Sequence, residues 1–408
     1  MFCTSFAWAA FNFVAAVAAA PAPFTAPFVG GGVYQASDPR LKDYAVASTP
    51  PFSPSVYGDY YVWRVDNNTV GVSNATAVEA PLGLTNYGSD NTVYPYFEIE
   101  KPCDKPVDFS SEYEGKGTFK KILHILFENE VFSWTMSSPY WRVLATRGKL
   151  LTNSHGVSHP SLPNYAAFIA GDTFGMAAEN FFNVKGSTIY DLLDHKGIDY
   201  ATYAEWYTPS NTSRGPCDCN QSPFMGPLDG SNPDWSSPVY RRLDVPALLF
   251  SSYTTNYTRC SKIYNATDKF AQDVNDGSLP PYSFYVPDML HNGHDPASDS
   301  DYLHQNDEAG RWLLSFLDLY LPALQEQGTL VVASFDEATW TNDSDAVPNN
   351  NNSIVTMLFG SGVTPNTMDD TYITHYGALI GAINNFGLGS LSRNDTNVTN
   401  GDLTNLVW

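Results

Sequence analysis

The sequence predicts an α/β protein with a mostly parallel central sheet and helices on both faces. Three observations predict it. Runs such as Ile122-Leu123-His124-Ile125-Leu126-Phe127 are nearly all apolar, without the alternation of a strand that has one wet face. These runs alternate with segments whose apolar residues recur at helical spacing, which is the pattern of crossover connections. Hydrophobic residues make up 43% of the 408, enough for a large core.

The chain opens without charge, since no charged side chain precedes Asp38. Phe6 to Ala20 is a short apolar run ending in Val17-Ala18-Ala19-Ala20, with Pro21-Ala22-Pro23 after it. Small residues before a cut fit a secretory signal over residues 1–20 better than a membrane helix. Residues 21–115, rich in Tyr, Pro, Gly, Asn and Thr, read as an irregular extension packed on the core, with a short strand at Tyr60–Val65. Residues 116–408 read as the α/β domain. After the strand at 122–127, Ser187–His195 has helical spacing and Gly197 as its stop. Tyr200–Ala204 resumes as a strand. A Ser-, Pro-, Gly- and Cys-bearing insertion around 208–260 follows. Tyr282–Val286 is a strand, Arg311–Leu324 a helix, Leu330–Phe335 and Ser353–Phe359 strands, and His375–Phe386 a helix. No stretch after residue 20 is long and apolar enough to span a bilayer.

Charge and cysteines narrow the setting. The chain carries 21 Lys and Arg against 43 Asp and Glu, a net charge of −22, which argues against a nucleic-acid partner. Asn-x-Ser/Thr sequons begin at Asn67, Asn74, Asn211, Asn220, Asn256, Asn265, Asn342, Asn351, Asn394 and Asn397, a density that suits N-linked glycans on an exported protein. Cys3 would leave with the signal. Cys103, Cys217, Cys219 and Cys260 remain, an even number that suggests two disulfides. Cys217 and Cys219 are too close to pair comfortably, so each is expected to reach Cys103 or Cys260. A thiolate zinc site is the competing reading, but a single C-x-C is poor support for it.

Ligands of open α/β sheets bind beyond the carboxyl ends of the strands. Here those ends lead into Glu128-Asn129-Glu130, into Asp336-Glu337, and into Pro287-Asp288-Met289-Leu290-His291-Asn292-Gly293-His294-Asp295. Oxygen ligands of this kind suit a divalent cation. A second motif is Ser154-His155-Gly156-Val157-Ser158-His159-Pro160-Ser161-Leu162-Pro163-Asn164-Tyr165. Pro163 is compatible with a first helical turn, which puts Ser161 at a helix N-terminus, where free N–H groups favour an anion. A hydroxyl there either attacks a bound phosphoryl group or merely caps the helix. Residue chemistry alone leaves both readings open.

These motifs, in this order, resemble the phosphoesterase family of fungal secreted acid phosphatases, whose relatives include bacterial acid phosphatases and non-haemolytic phospholipases C. The resemblance covers residues 118 to 390 and implies an alkaline-phosphatase-like fold. It also implies a secreted acid phosphatase that hydrolyses small phosphate monoesters. On that basis Ser161 is the nucleophile, passing through a phosphoserine. Glu128, Asn129, Asp336 and Glu337 hold one divalent cation, of unspecified identity, beside its oxygen. Asn164 donates to a phosphoryl oxygen, and His291, His294 and Asp295 lie near metal and substrate. His155 or His159 contacts phosphate or protonates the leaving oxygen, and His375 resembles a late active-site histidine. The sequence lacks a clear Asp-His-Gly motif, which speaks against a two-zinc site. Lys185, Asp191 and Glu205 read as structural. The alternatives are a phosphodiesterase or phospholipase C on the same scaffold, and a catalytically silent glycoprotein. The acidic surface and the histidines favour an acidic pH optimum.

Overall fold

The buried apolar runs pair into one nine-stranded sheet. The computed structural model describes residues 75–77, 96–100, 106–110, 113–177, 181–207, 240–294, 302–338 and 351–408. In chain order the elements are β1 (Ala75–Ala77), β2 (Tyr96–Glu100), β3 (Lys121–Phe127), α1 (Phe132–Thr135), α2 (Pro139–Arg147), β4 (Lys149–His155) and α3 (Ser161–Ala170). Next come β5 (Phe181–Lys185), α4 (Ile189–Lys196), β6 (Tyr200–Ala204), α5 (Ser251–Thr254), α6 (Tyr257–Cys260), β7 (Ile263–Asn265) and α7 (Ala266–Asn275). The chain ends with β8 (Tyr282–Val286), α8 (Tyr302–Glu326), β9 (Thr329–Phe335), β10 (Ser353–Gly360), β11 (Thr367–Asp369), β12 (Ile373–Thr374) and α9 (His375–Phe386).

The strand order is β11-β4-β10-β9-β3-β8-β6-β7, with β12 beside β4. Only β10 runs against its neighbours, β4 and β9; every other pairing in this sheet is parallel. The expected mostly parallel sheet is therefore the one observed. Alternate residues of β3 enter different cores. Ile122 and Leu126 pack with Phe168 of α3, Tyr190 of α4 and Leu379 of α9. Leu123, Ile125 and Phe127 pack with Trp141 of α2, Phe270 of α7 and Leu313 of α8. Both faces of the strand are covered by helices, so the sequence shows no wet face.

Local signals fix the helix ends. Thr188 caps α4 in a reciprocal box with Asp191, and Gly197 closes it at φ 70°. Helix α8 begins at Tyr302, ahead of the expected Arg311, because its first turns (His304 to Glu308) are polar in sequence. Helix α2, strand β4 and helix α7 were not anticipated at all. Part of the N-terminal region is strand: β2 pairs with β1 and, in parallel, with β5. In the expected insertion, residues 245–250 belong to the core, with Val245, Ala247, Leu248, Leu249 and Phe250 buried. The expected signal at 1–20, the strand at Tyr60–Val65, Cys103, Cys217, Cys219 and Asp295 lie outside the described residues. Among the described residues no helix is long and apolar enough to cross a membrane.

Candidate active site

Parallel pairing brings the carboxyl ends of β3, β4, β6, β8, β9 and β12 to one edge of the sheet. Phe127 of β3 is level with Phe335 of β9, so Glu128 and Asp336 emerge side by side. The loop after β4 returns over them into α3. Ser161 is the first residue of α3, with Pro160 at the cap position, so the hydroxyl is not spent on capping. It donates to Glu128 Oε2 at 3.2 Å. Ser161 and Asp336 are wholly buried, and Glu128 is 1% exposed.

Asn129 takes a left-handed conformation at φ 59°, which asparagine tolerates better than most residues. That turn aims its N–H at Asp336 Oδ1, 3.0 Å away, while its side-chain amide lies 3.4 Å from Glu128 Oε2. The Glu337 N–H also donates to Asp336 Oδ1, at 2.6 Å. Burial pushes the Asp336 carboxyl up to about 7, against these bonds. Its Oδ2 is buried with no hydrogen-bond partner among the described residues. The Glu337 carboxylate bonds His159 Nδ1 at 2.7 Å. Burial pushes His159 down to about 4. An orphaned carboxylate oxygen among buried acids fits a bound cation. Of the expected ligands, Glu337 turns to His159 in this fold.

The group of His, Cys, Asp and Glu that does converge, among the described residues, is Glu205, Asp288 and His291, with ligand atoms within 4.8 Å of one another. Glu205 follows β6 and the other two follow β8. The sequence reading of Glu205 as merely structural missed this cluster, because one acid after a strand carries no motif. Arg241 was missed too. Its guanidinium lies 4.0 Å from Glu128 Oε2 and 3.7 Å from Asp244 Oδ1. The Asp244 carboxylate accepts from the Asn292 amide at 3.1 Å, and the Glu128 N–H donates to Asn292 O at 2.8 Å. The loop carrying His291 is thereby laced to the residue beside Ser161.

Asn164 spends its amide on the loop before Ser161. Its oxygen accepts from the N–H groups of Val157 and Ser158 at 2.9 and 3.1 Å, and its nitrogen donates to Ser158 O and Pro160 O at 2.9 and 3.2 Å. Both amide hydrogens are engaged, so the side chain braces the nucleophile's loop. His375 lies stacked on Phe168 at 4.1 Å, with Nε2 bonded to Asp336 O at 2.5 Å; burial pushes it down to about 4. It holds the Asp336 backbone from beneath. His155 bonds Asn153 Oδ1 at 2.8 Å and Asn351 O at 3.2 Å. The His294 N–H donates to Asn292 Oδ1 at 2.9 Å. Asp191 is structural, as read, since it closes the α4 capping box and pairs with Arg259 at 2.9 Å.

Comparison with known proteins gives this geometry its family. The profile described as "Phosphoesterase family" matches residues 132–388. A "Probable acid phosphatase" of Kluyveromyces lactis is 32% identical over 80% of this chain and 72% of its own. An "Acid phosphatase" of Aspergillus fumigatus is 32% identical over 71% of this chain and 60% of its own, so the chain spans less than two thirds of that relative. A solved alkaline phosphatase superfamily protein of Vibrio parahaemolyticus superposes with a TM-score of 0.44 at 15% identity, over 72% of this chain and 75% of its own. The chain belongs to the Phosphoesterase family.

Proposed function

We propose that the protein is an acid phosphatase that transfers the phosphoryl group of a small monoester to Ser161 and then to water. One observation carries this reading: a buried serine hydroxyl at the start of a ten-residue helix donates at 3.2 Å to Glu128, which leaves its strand level with Asp336. The unbonded N–H groups of the first turn of α3 favour the phosphoryl oxygens. Glu128 accepts the hydroxyl proton as Oγ bonds to phosphorus and the ester P–O bond breaks. A histidine gives a proton to the departing oxygen. Water then attacks phosphorus, the P–Oγ bond breaks, and a proton returns to Ser161. Glu128, Asn129, Asp336 and Glu337, with Ser161, would hold one divalent cation. That cation would supply Lewis-acid stabilisation of the phosphoryl oxygens and a lower pKa for the hydroxyl.

Acid quench of the enzyme during turnover of p-nitrophenyl phosphate, followed by peptide mass spectrometry, should find phosphate on Ser161. Wild-type turnover by Ser161→Ala would sink the proposal. Parallel assays with the bis-ester and with phosphatidylcholine separate a monoesterase from a diesterase or phospholipase C. The proposal also places the protein outside the cell, as a glycoprotein with two disulfides. Its support is the apolar segment at 1–20, the sequons and the four later cysteines. Glycosidase digestion and non-reducing peptide mapping of secreted material test it.

A further inference from the structure

We infer that Glu205 is a positioning residue, holding His291 so that its Nε2 protonates the leaving oxygen. The inference rests on the phosphatase reading above and adds to it the identity of the proton donor and of its support.

The geometry is that of a built cradle. Glu205 Oε2 accepts from His291 Nδ1 at 2.6 Å and from the Asp288 N–H at 3.1 Å. Glu205 Oε1 accepts from the Tyr285 hydroxyl at 2.9 Å and the Trp312 indole N–H at 3.2 Å. The Glu205 N–H donates to Val286 O at 3.0 Å. Four donors from β8, its following loop and α8 thus lock one carboxylate. The imidazole lies along the Trp312 ring, with centroids 5.8 Å apart and planes 22° apart. Asp288 Oδ1 adds a second acceptor 3.4 Å from Nδ1.

Such a cradle fixes which nitrogen does what. Nδ1 must carry a hydrogen to meet the carboxylate. Nε2 has no protein hydrogen-bond partner among the described residues, and the side chain is 30% exposed. The proton that can leave is therefore the one on Nε2, and the neutral ring left behind keeps its hydrogen on the Glu205 side. The groups in contact with the ring are Glu205, which follows β6, Asp288 from its own loop and Trp312 from α8, with the charge of Glu308 on α8 acting from farther off. The next residue, Asn292, accepts from the Glu128 N–H at 2.8 Å, so the ring is carried on the strand turn adjoining the nucleophile's acceptor. A cation within this cluster is the competing occupant. It is disfavoured because three donors other than His291, the Asp288 N–H, the Tyr285 hydroxyl and the Trp312 indole, already occupy Glu205.

The test uses the demand for a proton. A glycerol alkoxide cannot leave without one, whereas p-nitrophenolate can. With full-length enzyme, His291→Ala and Glu205→Gln should each lower kcat/KM for β-glycerophosphate by about 100-fold, the low end of general-acid effects, and by much less for p-nitrophenyl phosphate. The double variant should be no worse than either single. Glu205→Asp should recover part of the loss, and Trp312→Phe, which removes one donor to Glu205, should show a smaller selective loss even if Glu205→Gln folds poorly. Selective loss in His291→Ala with equal losses on both substrates in the Glu205 and Trp312 variants overturns the role of Glu205. Unselective loss in His291→Ala overturns the proton-donor assignment itself. Phosphate on Ser161 in that variant would show that the phosphatase reading survives.

Discussion

Replacing His124 by phenylalanine should flatten the acid sensitivity of the fold. His124 sits in the middle of β3, 2% exposed, stacked on Phe284 at 5.0 Å and edged by Tyr282 and Phe168 at 5.6 and 6.1 Å. Its Nδ1 has no hydrogen-bond partner among the described residues. Burial pushes its pKa from 6.5 down to about 3. The folded protein therefore refuses a proton that the unfolded chain accepts below 6.5, so stability rises with pH between about 3 and 6.5 and falls on acidification. From pH 7 to pH 5 the loss from this one group is about 2 kcal/mol. His159 and His375, each pushed down to about 4, steepen the wild-type slope in the same sense. The difference between wild type and His124→Phe isolates His124. Denaturant unfolding at pH 7, 6 and 5 measures it: wild type should lose about 2 kcal/mol more than the variant across that range. Parallel pH dependences would refute the argument, since they would mean that the ring is protonated in the fold or never desolvated. The point bears on function, because a phosphatase working in acid would carry this cost at its working pH.

Three further outcomes are expected. Asn164→Ala removes four hydrogen bonds from the loop at 157–160, so it should lower kcat more than it raises KM and increase the hydrogen exchange of that loop, as deuterium uptake would show. Thr188→Ala breaks the α4 capping box and should cost about 1 kcal/mol with kcat unchanged, measured by urea unfolding and a monoester assay. Exhaustive dialysis against a chelator should abolish activity and lower the melting temperature, with both restored by one divalent cation per chain; full activity in metal-free enzyme would rule out a required ion.

The strands were legible because a strand buried on both faces is mostly apolar, and β3, β8, β9 and β10 read as apolar runs broken by isolated polar residues such as His124, Ser283, Ser334 and Thr356. Helix α9 was legible to its ends. Ser161 could be placed at a helix start because Pro163 is best accommodated in a first turn, where no N–H is needed. Strand β4 was missed, because Lys149-Leu150-Leu151-Thr152-Asn153-Ser154-His155 reads as polar. Its polar side chains are buried by partners no local pattern reveals: Ser154 bonds Thr356 at 2.7 Å, and Lys149 reaches Leu406 O at 2.9 Å. The function of Glu205 was invisible for the same reason, since its four donors come from 80 or more positions away. Motifs report what adjacent residues do together. Cradles assembled from separate strand ends leave no such trace.

The one reversed strand explains how the site is closed. A purely parallel sheet would bring only carboxyl ends to this edge, each ending in its own loop with nothing to join them. Strand β10 runs the other way, so its amino end arrives there, with Ser353 level with His155. Asn351 and Asn352 lead into it at φ 50° and 58°, a left-handed pair that few residues other than asparagine and glycine tolerate. Asn352 then ties two loops together. Its amide donates to Ser158 O at 2.9 Å and accepts from the Ala338 N–H at 2.8 Å, while its backbone oxygen takes the Gly156 N–H at 2.9 Å. A Cβ at Gly156 would come within 2.6 Å of that amide, so a side chain there would push the clamp aside. The loop before Ser161 and the loop after Asp336-Glu337 are thus held to a common clamp. The antiparallel strand is the means by which a nucleophile and an acid pair, drawn from separate crossovers, keep a fixed separation.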